Sequence, residues 1–177
     1  MTGSSEPLDP TPTTKLLDFS LANPLHEDLG NGTRTNNIWT HLSRAVYGFI
    51  PPGTRSYVTI GHSGGHNSGV CYKCTQNNNN LCGGYCAPDA SDYYLYYWLW
   101  DLNDLIAVKN GQMNSYDVRP YDYGVFPSPI SVTKLGGGSF DPASGKLYVT
   151  LQRADRDQGR YSNPPVIAVY QFQADGS

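Results

Sequence analysis

The chain has 177 residues, which is enough for one sizeable hydrophobic core. Its net charge is −3 and only 15% of its residues are charged, so it lacks the basic surface that nucleic-acid binding requires. No apolar run reaches the roughly 18 residues of a membrane span, and the polar amino terminus has no signal-peptide pattern. Plentiful glycine, proline and tyrosine favour many short strands joined by tight turns.

The first part of the chain is polar. Residues 1–14 are rich in serine, threonine and proline, which predicts a disordered tail or linker before a single β domain over residues 15–177. A loop is predicted at residues 23–37. Asn31 within it precedes glycine and threonine, so it is either the tip of a turn or, in a eukaryotic secretory pathway, a glycosylation acceptor.

A strand-turn-strand unit is predicted next, with strands at residues 44–50 and 56–61. The following loop, residues 61–69, carries His62 and His66 among four glycines. We predict that these histidines are solvated or held in turns, because neither a third metal ligand nor a rigid frame is evident. A binding role is the alternative.

Four cysteines follow in the spacing C-x2-C-x7-C-x3-C: Cys71, Cys74, Cys82 and Cys86. Two disulfides are predicted, and nested bonds (first to last, second to third) would close this insertion, although the spacing allows all three connectivities. Two cysteine pairs also supply four ligands for a tetrahedral zinc ion, so zinc is the alternative, although the gap between the pairs is shorter than in a usual zinc ribbon. Clustered cysteines and low charge favour an extracellular location.

The most apolar strand is predicted at residues 92–101, DYYLYYWLWD. Both of its faces are large and apolar, which indicates a central strand covered on both sides. As the alternative, Trp98 and Trp100 would form an exposed platform on which sugar rings stack. A short helix is predicted near residues 102–109, with Asp101 as its N-cap.

Residues 112–133 are predicted to form a long loop that contains three prolines. This loop carries a polar and aromatic cluster consisting of Asp117, Arg119, Tyr121, Asp122 and Tyr123. Such clusters occur on loops that bind sugars or partners, and they also hold long loops in place.

A second strand-turn-strand unit is predicted from Lys134, followed by a closing strand at residues 166–172. Between them, Asp155 and Asp157 resemble the start of a calcium-binding loop. The closing acidic ligand of such a loop is missing, so calcium at these aspartates is only an alternative.

The two units form an internal repeat. FIPPGTRSYVT and FDPASGKLYVT share the pattern F-x-P-x5-Y-V-T, which makes Tyr57 and Tyr148 equivalent. The repeats span about 44–101 and 134–172. Because one repeat cannot bury both of its faces, we predict that the repeats stack as β-propeller-like blades in a partial or open arrangement. A β-sandwich is the competing architecture.

The segments YYWLWDLNDLIAVKNG, GGGSFDPASGKLYVTLQRAD and SNPPVIAVYQF together resemble the closing blades of uncharacterised bacterial β-propeller proteins. Those proteins are similar in layout to five-bladed glycosidase-like propellers. The resemblance extends over residues 44–172 and implies an extracellular, carbohydrate-facing role. Two blades leave open edges, so the chain is expected to be part of a larger protein or to assemble with other copies of itself.

The function predicted from these observations is a non-catalytic module that binds carbohydrate or assembles with itself. The candidate glycan-binding residues are Arg119, Tyr121, Tyr123, Trp98 and Trp100. No cofactor is predicted, apart from the zinc and calcium alternatives.

A glycosidase acting on polysaccharide is the alternative function. Such enzymes place two carboxylates on either side of the scissile bond. The candidate carboxylates are Asp101, Asp122 and Asp141, and no pair of them occurs in a recognisable motif. Nucleophile-elbow, P-loop and dinucleotide-binding patterns are absent from the sequence, so acyl, phosphoryl and hydride transfer are not indicated.

Overall fold

A computed structural model describes residues 13–159 and 161–172. Its elements are β1 (Arg44–Phe49), β2 (Ser56–Gly64), β3 (Cys71–Tyr72), β4 (Tyr85–Cys86), β5 (Tyr93–Asp101), α1 (Leu102–Lys109), β6 (Asp122–Val125), β7 (Leu135–Asp141), β8 (Lys146–Leu151) and β9 (Val166–Gln171). The prediction of a mostly β domain with one short helix is confirmed for this part of the chain. The predicted tail falls largely on residues 1–12, which lie outside the described residues.

The strands form three antiparallel sheets. Strands β1, β2, β5 and β6 make a four-stranded sheet, β7, β8 and β9 make a three-stranded sheet, and β3 pairs with β4 in a hairpin inserted between β2 and β5. In the described residues these sheets do not close into a ring or barrel. Nor does any helix there have the length and apolarity that crossing a bilayer would require.

The two larger sheets pack face to face on one apolar core. Phe49 and Phe140, the equivalent phenylalanines of the repeats, stack with ring centroids 4.6 Å apart. Val58 and Val149, another equivalent pair, are both buried in this core. Equivalent faces of the repeats therefore point towards each other. In a propeller, blades are related by rotation about the central axis, so equivalent faces all turn the same way round the ring. The observed packing therefore favours the β-sandwich alternative.

The repeats differ in the register of their hairpins. Phe49 pairs with Val58 in the first hairpin, whereas Phe140 pairs with Leu147 in the second. The segment between the paired residues is therefore two residues shorter in the second hairpin. Because side chains alternate with a period of two, a shift of two residues keeps every core side chain on the same face. The repeat is thus preserved in the core although its turns differ.

The outer face of the four-stranded sheet is covered by α1 and by the segment that precedes β1. Trp98 is fully buried and its indole N–H donates to the carbonyl of Ile38 (2.7 Å). Trp100 is 3% exposed and its indole N–H donates to the Thr59 hydroxyl (2.9 Å). The predicted doubly covered strand is confirmed, and the alternative of an exposed tryptophan platform is wrong, because neither ring is accessible to a sugar.

The outer face of the three-stranded sheet has no such cover among the described residues. Tyr148 and Val169 face each other across β8 and β9 and are 39% and 56% exposed. Tyr57, the repeat equivalent of Tyr148, instead packs against the cluster under α1. Equivalent strand positions therefore have different surroundings, because the covering elements lie outside the repeated sequence.

Candidate functional site

The cysteines form two local disulfides, Cys71–Cys74 and Cys82–Cys86. Disulfide formation is confirmed, but the nested pairing is not the one observed. Lys73 has a φ of 51°, which curls the chain so that the first pair can close, and two glycines, 83 and 84, form the turn in the second. Bridges over such short loops contribute about 2 kcal/mol each on a chain-entropy estimate, so they fix local shape more than they tie down the whole insertion.

The two bridges lie side by side. Pairing of β3 with β4 sets Cys71 opposite Cys86, with their sulfurs 3.9 Å apart, and the sulfur of Cys74 is 3.4 Å from that of Cys86. Zinc–sulfur bonds of about 2.3 Å would place thiolates at comparable separations around a tetrahedral ion. The oxidation state of the cysteines therefore separates the disulfide prediction from the zinc alternative.

The candidate catalytic carboxylates serve local structure. Asp101 caps α1, as predicted, by accepting from a backbone N–H of its first turn (2.8 Å). Asp122 accepts from the Tyr97 hydroxyl (3.0 Å). Asp141 holds the turn after β7, and the hydrogen bond from the Ser144 hydroxyl lowers its pKa. A glycosidase acid needs a raised pKa, so this arrangement gives no support to hydrolysis.

The calcium alternative also gains no support. Asp155 accepts from the backbone N–H of Asp157 (2.9 Å), which closes a turn. Among residues 13–159 and 161–172, the only cluster of three or more potential metal ligands consists of Cys71, Cys74 and Cys86.

The remaining candidate ligand residues are divided between different parts of the surface. Arg119 donates to two backbone carbonyls of its own loop and lies over the ring of Phe19. Tyr121 is 57% exposed and its hydroxyl bonds to that of Ser56. Tyr123 lines a cavity that Arg119 and Tyr121 do not reach.

This cavity, which we call the tyrosine cavity, has a volume of about 430 Å³. Its main side chains come from four separate segments: Arg34, His66, Asn67, Tyr94, Tyr96 and Tyr123. The ring of His66 stacks on that of Tyr94, with centroids 5.1 Å apart. Asn67 donates to the Tyr94 hydroxyl (2.8 Å). The cavity thus combines flat aromatic surface with fixed polar groups, which suits a small, hydroxyl-rich ligand.

Asp92 holds the loop that carries His66 and Asn67. Its carboxylate is 3% exposed and accepts from the backbone N–H groups of His66 (3.1 Å), Asn67 (3.0 Å) and Ser68 (2.7 Å), and from the Ser68 hydroxyl (2.7 Å). Burial alone would raise the pKa of Asp92, but the hydrogen bonds from Ser68 and Asn67 outweigh it and lower that pKa. The carboxylate is therefore charged at neutral pH and clamps the loop.

Asn31 fixes the same loop from the other side. Its side chain is fully buried, and its amide nitrogen donates to the carbonyls of Gly65 (2.7 Å) and His66 (2.9 Å). The nitrogen that a glycan would need is therefore buried and occupied in the folded domain. The turn interpretation is correct, with Asn31 at a φ of 48°.

The imidazole of His66 is oriented by serine hydroxyls. Its Nε2 lies 2.7 Å from the Ser63 hydroxyl, which in turn bonds to the Ser43 hydroxyl (2.7 Å). Burial lowers the pKa of His66, although the nearby Asp92 charge opposes this. Ser63 is 1% exposed, so the pair positions the ring rather than presenting a nucleophile. The prediction of a turn-bound histidine is confirmed for His66. It is wrong for His62, which is half-buried within β2, because that strand continues to Gly64.

Sequence reasoning missed Arg34, Tyr94 and Tyr96 as residues of one cavity. The sequence pattern places Tyr94 and Tyr96 only on a covered strand face, and Arg34 only in a loop. The available signal was the histidine-bearing glycine loop, which the structure places beside all three.

No protein-family model, curated protein or solved structure matches this chain. The interpretation of the tyrosine cavity therefore depends on its own geometry.

Replacing Asp92 with asparagine is expected to destabilise the fold by roughly 2–4 kcal/mol at pH 7, because buried N–H donors lose a charged acceptor. A group whose folded-state pKa is lowered adds stability above its unfolded pKa of about 3.9 and loses it as pH falls through the folded value. The difference between wild type and Asp92→Asn should therefore shrink in acid. Urea unfolding from pH 7 to pH 2 measures it.

Asp157→Asn is the matched control, since Asp157 is exposed, and we expect a change within about 0.5 kcal/mol. If the Asp92→Asn protein kept the full acid dependence of the wild type, the clamp assignment would be wrong.

For the cysteines, intact mass spectrometry should find the untreated chain lighter than the reduced chain by four hydrogen atoms, with no effect of a chelator. Cleavage within the run Asn77–Asn80 then tests connectivity. Because that run separates the observed pairs, the two fragments should part without reductant, whereas nested bonds would keep them joined. A zinc-containing native mass that disappears with chelator would instead establish the metal alternative.

Proposed function

We propose that this chain is an extracellular, non-catalytic carbohydrate-binding module, and that the tyrosine cavity is its binding site. The observation that carries the proposal is the convergence of Tyr94, Tyr96 and Tyr123 with His66 and Asn67 around one opening. The two disulfides support the extracellular assignment, because such bonds persist in oxidising compartments.

The cavity offers two kinds of contact to a sugar. The partly exposed rings of Tyr94 and Tyr123 provide apolar faces. Tyr96 is too buried to offer its own face, at 3% exposed, but it fixes the wall behind them, because its hydroxyl donates to the carbonyl of Asn37 (2.7 Å). Burial raises the pKa of Tyr96 well above its usual range, so this hydroxyl stays neutral. Asn67 and Arg34 add polar groups at the rim. No carboxylate side chain lines the opening, which favours a neutral or anionic sugar over a cationic ligand.

The loop that forms the site is held before any ligand arrives. Between Gly65 and Ser68, Asp92 accepts hydrogen bonds from three backbone N–H groups and Asn31 donates hydrogen bonds to two backbone carbonyls, five contacts in all. Preorganised loops lose little conformational entropy on binding, which favours affinity in a small site. One of these five contacts is buried and the other four are partly buried, so water competes little with them.

The propeller-like architecture belongs to the same proposal. It is supported by the sequence resemblance alone, whereas the face-to-face core favours a sandwich. Both architectures place binding loops at the ends of antiparallel strands, so the proposed function holds for either.

The test begins with a glycan array, followed by calorimetry with the best neutral saccharide. Tyr123→Ala is expected to weaken binding about tenfold or more, because tyrosines at buried contacts carry much of the binding energy. Asn67→Ala, at an exposed position, is expected to weaken binding with no effect on folding.

Tyr148→Ala is the control, since it removes the same side chain from the opposite sheet and should leave affinity unchanged. The absence of any glycan ligand at high protein concentration would overturn the proposal. So would equal losses in Tyr123→Ala and Tyr148→Ala.

Self-assembly is a second candidate function, favoured by the uncovered face of the three-stranded sheet. Tyr148, Ile167 and Val169 lie on this face and are 39%, 57% and 56% exposed. Contiguous exposed apolar side chains mark association surfaces.

Light scattering is therefore expected to show a mass that rises with concentration, and Val169→Lys should abolish the rise. Leu81→Lys, which places the same charge on an exposed side chain of the cysteine loop, should not. A monomer at every concentration would remove this candidate.

A further inference from the structure

A second cavity, of about 550 Å³, lies where the three sheets meet. Arg44 of β1 and His62 of β2 enter it from the four-stranded sheet, and Lys134 enters from the start of the three-stranded sheet. Tyr85 of β4 lines it from the cysteine hairpin. We call it the junction cavity. Its walls come from segments far apart in sequence, so it exists only in the folded chain.

The junction cavity is positively charged and has no built-in counterion. Arg44 and His62 are direct partners across β1 and β2. No aspartate or glutamate lines the cavity. Both ion pairs found in the described part of the chain use other cations, Lys15 and Arg55. Arg44 and Lys134 therefore face the cavity with no acidic partner among the described residues.

His62 adds an unsatisfied polar atom at the same place. Its Nδ1 is buried and has no hydrogen-bond partner in the described residues. Burial lowers the pKa of His62, and the charges of Lys134 and Arg44 lower it further, which indicates that both cations act on this ring. Buried polar atoms without partners are rare in native folds, so this nitrogen is a feature beside the cavity that the packing of the described residues leaves unsatisfied.

The opposite wall is aromatic and fixed. The His41 ring stacks in parallel on that of Tyr85, with centroids 4.2 Å apart and planes 7° apart. Gln76 is held by hydrogen bonds to the carbonyl of Ala87 (2.8 Å) and the hydroxyl of Tyr93 (3.3 Å). Tyr85 itself directly precedes a disulfide-bonded cysteine. Cations on one side and rings on the other suit a small organic anion.

We propose that the junction cavity is an oxyanion-binding site, in which Arg44 and Lys134 receive the carboxylate or sulfate group of a small ligand beside the ring of His62. This site is separate from the tyrosine cavity and takes a different chemical group. Arginine and lysine supply charge-assisted hydrogen bonds to such oxygens.

The test is calorimetry of the full chain with three probes: sodium sulfate, glucuronate and glucose. We expect an anion to bind with a dissociation constant in the millimolar range or lower. Removing the charge of Arg44 or Lys134 should not reduce any binding of glucose. Arg44→Gln and Lys134→Gln should each weaken anion binding about tenfold or more, since a hydrogen bond to a charged group is lost. Lys146→Gln, which removes the same charge elsewhere on the surface, should leave it unchanged.

The probes distinguish the source of the oxyanion. Binding of sulfate alone supports the site with a free inorganic anion as ligand, and binding of glucuronate alone supports it with an acidic sugar. Absence of binding by both anions overturns the proposal, as do equal losses in Lys134→Gln and Lys146→Gln.

Lys134 is exposed, so its variant is expected to fold, and circular dichroism checks this. Tyr123→Ala should leave anion binding intact. A failure of the carbohydrate proposal can therefore be distinguished from a failure of the anion-site proposal.

Discussion

The contact between the equivalent faces of the two repeats is the interaction on which the rest of the structure depends. The three-stranded sheet has no cover on its outer face in the described residues, so its buried apolar surface lies wholly in this contact. Fully burying one side chain such as Leu147 or Val149 is worth about 1.5–3 kcal/mol, and several such residues meet here. Without the partner sheet, β7, β8 and β9 would have no core.

That contact also determines where binding chemistry can occur. Once the sheets are docked, the start of β7 lies beside the ends of β1 and β2, which brings Lys134 to Arg44 and His62. The end of β2 and the loop after it then serve different cavities, His62 lining the junction cavity and His66 the tyrosine cavity. His62 still follows the alternation of β2 and faces the junction. Gly65, at a φ of 72°, redirects the chain, and a Cβ there would lie 2.7 Å from the backbone oxygen of Gly69, so His66 reaches the opposite side of the sheet.

Much of the framework could be predicted from the sequence because its signals are local. Alternation predicts the strands of the two repeats, Asp101 predicts the start of the helix, and the apolar faces of β5 predict a covered strand. The short strands β3, β4 and β6 have no such alternation, and β6 lies within the predicted loop. The cysteine pairing could not be predicted, because it depends on the left-handed backbone of Lys73. The tyrosine cavity could not be predicted either. In the sequence Asn31 looks like an ordinary loop residue and Asp92 like the first residue of a strand, and only tertiary packing makes them the buried supports that bring distant side chains together.

The same supports favour binding over hydrolysis. A glycosidase keeps one carboxyl group neutral near physiological pH by placing it where few donors reach it. Here the opposite holds for the most buried carboxylate of the described residues, since Asp92 receives four donors and its pKa is lowered despite burial. Freeing Asp92 to act as an acid would remove those hydrogen bonds and release His66 and Asn67 from their positions. The charge that shapes the tyrosine cavity is therefore committed to holding the loop and is not available for proton transfer.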